Sequence, residues 1–249
     1  MQSSARVGAR WLVCRLLAAG WLAAAAARAA DVAATFDPAL PAGAHCTVDA
    51  RRLRPTQVAV GFKEVELRLA KYRALSPKKQ DRYLRERPLP LVIGPGGEPY
   101  ILDHHHLARL ALQAIAPPLL YAEIRENWRT LAPAEFWERM QARHWVYLFD
   151  EQGRGPLSPS ELPARIDAMR DDPYRSLAWA VRQRGGYAES DAPYADFQWA
   201  NFFRTRIALD DVKTRFTDAT DRALALARSE EARALPGFGG QARPAPEEP

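Results

Sequence analysis

An acidic residue followed by three histidines, Asp103-His104-His105-His106, with Arg109 one helical turn further on, is the stretch of this chain best equipped for chemistry. Imidazoles titrate near neutral pH and serve as general acids, general bases or partners of anions, and a carboxylate beside them can orient a proton. His105, His106 and Asp103 are therefore the candidate catalytic residues. His104, His105, His106 and Arg109 are the candidate phosphate ligands. Consecutive helical positions point about 100° apart, so three adjacent histidines do not converge on one ion, and no metal site is assigned. The alternative is a capped helix start with solvated neighbours.

The elements that must position this run are readable on either side of it. Leu107, Leu110, Ala111, Ala114 and Ile115 follow the spacing of a helix with one buried face, and His105, Arg109 and Gln113 share its polar face. Leu89–Ile93 predicts a strand, Gly94-Pro95-Gly96-Gly97 a turn, and Pro99–Leu102 the returning strand of a hairpin. With Asp103 as cap, the first-turn amides of residues 104–106 have no partner inside the helix. A strand leading into such an open helix start is an anion-binding geometry.

Residues 1–30 carry Arg6 and Arg10, then Trp11–Leu17, then an alanine-rich stretch ending in Ala29-Ala30, the pattern of a secretory signal peptide. An uncleaved anchor is the alternative. A periplasmic or secreted protein without stable membrane insertion is expected. The formal charge of +5 falls to about +1 once the four arginines of the leader are removed, which makes a poor general DNA binder. Basic residues concentrate in 51–87, a patch suited to anions. Cys14 lies in the leader, so the mature chain keeps Cys46 alone, and an inert thiol is expected there.

Residues 31–45 read as a linker, and Thr47–Leu53 as a strand stopped by Pro55. Phe62, Val65, Leu69 and Tyr72 mark a helix with Glu64 and Arg68 paired on its outer face; Ser76-Pro77 starts another. Leu119–Ile124 predicts a strand, and Pro133 opens a helix that carries Phe136, Met140 and a packed His144. Beyond 156 the chain reads as mainly helical. Ser158–Glu161 has capping-box spacing, Asp172-Pro173 starts a helix, and Phe197, Trp199, Phe202 and Phe203 are expected in the core. Asp210 is expected to cap a single last helix, and residues 236–249 to be disordered. P-loop, dinucleotide, zinc-finger and nucleophile-elbow patterns are absent, so no cofactor is named.

The order strand, Leu53-Arg54-Pro55-Thr56-Gln57, Val60-Gly61, two helices, hairpin and Ile101–His106 resembles the ParB/sulfiredoxin superfamily. More narrowly it is similar to the ParB-like proteins described as nucleases. The resemblance covers about 46–125, and Asp171–Ser176 extends it to roughly 230. It implies that the segment after the hairpin binds nucleotide phosphates. Here Asp103 matches that motif's Asp, His104 stands in place of its Gly, His105 and His106 match the next two positions, and Leu107 replaces its Arg. The catalytic Cys of sulfiredoxins is missing, which excludes sulfinic-acid reduction. Related free-serine kinases use an early carboxylate as base; Gln57 lies near that place and cannot act so, leaving Glu64 as a supporting candidate.

Together these readings predict an α+β fold: a ParB/sulfiredoxin-like small mixed sheet with packed helices over 46–155, and a mainly helical region over 156–235 packed on it. The expected function is binding of a phosphate-bearing small molecule or nucleic acid at 103–106, with phosphodiester hydrolysis implied by the resemblance. A non-catalytic binding module of the cell envelope is the rival.

Overall fold

The strand β5 (Leu89–Ile93) is the centre of the architecture, and its alternation explains why. Leu89, Leu91 and Ile93 enter one fully buried cluster, while Val92 points to the opposite face and packs with Trp128, Phe136 and Met140. Successive strand residues face opposite sides, so an apolar run of this kind belongs in a sheet covered on both faces.

The computed structural model describes residues 34–239. The leader expected over 1–30 and residues 240–249 lie outside the described residues. Among the described residues no helix is long and apolar enough to cross a membrane.

A six-stranded mixed sheet has β1 (Ala34–Thr35), β2 (His45–Asp49), β3 (Arg54–Pro55), β5, β6 (Pro99–Ile101) and β7 (Leu119–Asn127), in the order β1-β2-β7-β5-β6-β3. The hairpin β5–β6 is antiparallel as expected, β5–β7 and β3–β6 are parallel, and β2–β7 is antiparallel. One face is covered by α1 (Phe62–Ala74) and α3 (His105–Ala114), the other by α4 (Pro133–Ala142). α2 (Pro77–Arg85) buries only Tyr83 and Leu84. A second, two-stranded sheet joins β4 (Ala59–Val60) to β8 (Arg170–Asp171).

The helical region gathers around α5 (Pro173–Gln183), which packs against α6 (Ala195–Arg204), α7 (Leu209–Thr214), α8 (Phe216–Ala227) and α1. Leu177, Val181, Trp199 and Phe203 fill its core. The expected α+β class with a small mixed sheet is what the chain adopts.

Four local expectations are corrected. β2 stops at Asp49, because the Asp49 carboxylate accepts the Arg51 N–H at 2.8 Å and caps a short 3-10 turn over Ala50–Arg52. The stretch read as a linker is tied to the sheet: Phe36 is buried and its N–H donates to Thr47 O, and Gly43 N–H donates to Ile124 O. The last helix is two, because Arg215 leaves helical geometry between α7 and α8, where Asp211 pairs with both Arg215 and Arg222; Ala208, not Asp210, precedes α7. The start of the tail is held, with Trp199 Nε1 donating to Pro236 O at 2.8 Å and Ala188 N–H to Gly237 O at 2.9 Å.

Candidate functional site

The residue at the N-terminus of α3 is His104, not Asp103, and it has a left-handed backbone with φ of 63°. Asp103 instead accepts the N–H of His104 itself at 2.6 Å. The position where the resemblance expects glycine thus keeps the conformation that suits glycine, and a histidine bears its steric cost of about 1–2 kcal/mol. The first-turn amides of 105 and 106 remain without partners inside the helix.

Burial removes His105 from acid–base service. Its Nε2 accepts the Thr56 N–H at 3.2 Å, and Thr56 Oγ1 donates to Ile101 O at 2.8 Å, so the ring ties β3's exit to β6's end. Accepting that bond requires the neutral imidazole with its proton on Nδ1, and desolvation lowers the pKa to about 3. His106 lies with Nδ1 3.8 Å from Glu64 Oε1, its side chain one-fifth exposed. Desolvation, then the Arg68 charge, holds its pKa well below the ordinary imidazole value. Glu64 is buried and accepts from Arg68 Nε at 2.9 Å; burial raises its carboxyl pKa against the opposing pull of Arg68 and Arg175. The pair predicted for the outer face of that helix is therefore internal.

Arg109 does not line the cavity beside this motif and is engaged elsewhere. Its Nη1 donates to Ile166 O at 3.1 Å and its guanidinium lies 3.9 Å from the centre of the Phe62 ring. Leu107 and its neighbours turn into the core, which swings the polar face of α3 toward the 166–169 segment rather than toward the helix start.

Space for a ligand lies beside the motif, in a cavity of about 300 Å³ between the sheet-side elements and α5–α6. Gln57 and Asp103 form one wall, and His144 and Tyr147 a second. Arg175, Tyr194 and Phe197 close it from the helical region. Of the predicted site residues, Asp103 and Gln57 reach this cavity, and Gln57 is anchored by Nε2 donating to Ala59 O at 2.9 Å. The imidazoles of 104–106 and Glu64 stand outside its walls.

Arg175 is the most consequential residue there. Its Nε and Nη1 are buried without a hydrogen-bond partner, and its guanidinium stacks 3.6 Å from the centre of the Phe197 ring. Nearby cations are committed: Arg182 pairs with Asp196 at 3.0 Å, and Arg204 with Asp172 at 2.5 Å. Two desolvated guanidinium nitrogens without acceptors are costly, and an oxyanion satisfies such a planar donor fork. Burial raises the pKa of both Tyr147 and Tyr194, so their hydroxyls stay protonated at neutral pH.

Two sequence readings are corrected at this cavity. His144 is exposed just past the end of α4, not packed on its apolar stripe. Phe197 is half-buried in the cavity wall, because the first turn of α6 faces the cavity while Trp199 and Phe203 face the helical core. No short-range pattern marks Arg175, Tyr147 or Tyr194; the Asp171–Ser176 run behind the downstream resemblance contains Arg175 and is the one pointer to it.

A mixed sheet of this order carries the Asp-His-His-His run at a strand-to-helix junction, with an aromatic cavity of mixed charge beside it. Residues 46–205 match the family model described as "Putative ParB-like nuclease", and the chain belongs to that family. The match spans both sides of the cavity. Among solved structures, the chain is similar to protein Atu1540 from Agrobacterium tumefaciens, at 37% identity and a TM-score of 0.71, covering 78% of this chain and 97% of that one. No curated protein matches it.

Proposed function

We propose that this protein binds a phosphate-bearing ligand, a nucleotide or a segment of nucleic acid, in the cavity beside Asp103, and that it hydrolyses a phosphodiester there as an exported member of its family. The observation that carries the reading is Arg175: two buried guanidinium nitrogens without acceptors, fixed on Phe197, beside a cavity large enough for a nucleotide-sized group. Charge-assisted bonds to such a group contribute about 1.5–3 kcal/mol each. Family membership supports the nuclease-like chemistry.

Calorimetric titration of the purified chain with inorganic phosphate, nucleotides and short oligonucleotides tests the binding. Arg175→Ala is expected to weaken affinity at least about tenfold, the equivalent of one lost charge-assisted bond, and Arg175→Lys to recover only part, since an ammonium lacks the planar fork. Hydrolysis of phosphodiester substrates is measured with and without divalent metal. A wild type that binds none of these ligands, or an Arg175→Ala variant that binds them as tightly, overturns the reading. A non-catalytic envelope module is the second reading, favoured by the locked, neutral His105; binding without turnover would establish it.

A further inference from the structure

The proposed hydrolysis needs a group that can exchange a proton at the cavity, and the motif histidines do not line it. His144 does, and it is exposed. Its φ is 55°, and among the described residues the other non-glycine positions with positive φ are His104 and Tyr194. Tyr194 is a wall of the same cavity, and His104 follows Asp103, another wall. Left-handed backbone at side-chain-bearing residues persists where surrounding structure enforces it, and functional sites are where it gathers.

The enforcing contacts are specific. His144 N–H donates to Gln141 O at 3.0 Å and Trp145 N–H to Met140 O at 2.9 Å, which turns the chain sharply off α4. Tyr194 reaches across from the helical region, donating its hydroxyl to Val146 O at 2.7 Å and setting its ring edge-on to His144 at 5.7 Å. Tyr194 also contacts Tyr147, which stacks on Phe197, the ring beneath Arg175. A continuous aromatic wall therefore joins the imidazole to the guanidinium of Arg175, whose Nε and Nη1 lack acceptors.

We propose that His144 is the proton-transferring residue of this cavity and that Tyr194 is the residue that positions it; the inference rests on the phosphodiesterase reading above. The neutral imidazole takes a proton from the attacking water as its oxygen bonds to phosphorus. The ester P–O bond breaks with its electron pair on the leaving oxygen, which is protonated by solvent, and the imidazolium returns its proton to solvent. The charged groups facing the same space are Asp103, Glu189 and Asp196 on one side and Arg175 and Arg182 on the other, with the protonated hydroxyls of Tyr147 and Tyr194.

The test compares the full wild-type chain with His144→Asn, because asparagine tolerates the left-handed backbone and does not titrate; His144→Gly serves if that variant fails to fold. Steady-state hydrolysis of a phosphodiester is expected to lose about 10²–10⁴-fold in kcat, the usual worth of a positioned acid–base group, with KM little changed. The acid limb of the pH–rate profile should vanish, and added imidazole should restore part of the rate. Tyr194→Phe should lower kcat while keeping that limb. An unchanged kcat or a surviving acid limb in His144→Asn overturns the proposal. A wild type that binds inorganic phosphate but turns over no phosphodiester also overturns it, leaving the binding reading standing, whereas a wild type that binds no phosphate overturns that reading as well.

Discussion

His104 holds a backbone conformation that glycine would hold without steric cost, so the motif's first position is where a single substitution should improve the fold. His104→Gly is expected to raise stability by up to about 1 kcal/mol, the relieved left-handed strain less the added chain entropy of glycine; urea unfolding measures it, and a loss of stability would show that the ring's packing outweighs the strain. One residue on, His105 makes stability depend on pH. Its pKa is about 3 in the fold against an ordinary 6.5, so the unfolded chain binds a proton that the folded chain refuses. The resulting stabilisation is complete above the ordinary value and is lost as pH falls toward the folded one, at about 1.4 kcal/mol per pH unit. His106 acts in the same direction. Melting temperatures between neutral pH and pH 4 should fall more steeply for the wild type than for His105→Gln, whose amide oxygen can still accept the Thr56 N–H; equal slopes would show that His105 is not the group responsible.

At the scale of elements, the approach of α1 to α5 sets the position of Arg175. Gly61 precedes α1, and a Cβ there would meet the Oγ and backbone N of Ser176, the residue next to Arg175. Ser176 is fully buried and its Oγ accepts the Glu64 N–H at 3.1 Å, which locks the two helices in register. Gly61→Ala is therefore expected to cost about 1–3 kcal/mol through overpacking, and to weaken phosphate binding although Gly61 lines no part of the cavity. Denaturant unfolding and calorimetry on the same variant check both; a destabilised variant with wild-type affinity would mean that Arg175 is placed by α6 alone.

For the whole molecule, the helical region is bound to the sheet-side elements by groups that would be stranded without it. Arg68 lies over Trp179 at 5.2 Å, Phe62 N–H donates to Asp171 at 2.8 Å, and Arg109 donates to Ile166 O. Truncation after Gly155 is expected to give a poorly soluble fragment with exposed apolar surface, judged by light scattering and by loss of cooperative unfolding; a monomeric, cooperative 46–155 fragment would refute this. Export is the other prediction at this scale, and it rests on the charge and small-residue pattern of residues 1–30. Mass spectrometry of the natively produced protein should find a start near Asp31, and an intact Met1 in a cytoplasmic fraction would contradict it.

The amino-acid order alone determined what local periodicity and turn chemistry encode: the hairpin over 89–101, the helix that follows it though not its first residue, the helix after Asp172-Pro173, and the motif run that carried the family resemblance. Those features depend on neighbours within a few residues, where side-chain spacing and caps act directly. Only the tertiary structure decided which of the candidate residues line a common cavity. The cavity brings residues 57, 103, 144, 175 and 197 together from across the chain, and no short-range pattern records that meeting. Burial decided the rest: the solvent removed from around His105 changed an apparent acid–base residue into a neutral strut, while Arg175, one basic residue among many in the sequence, became a half-buried cation with two guanidinium nitrogens lacking an acceptor.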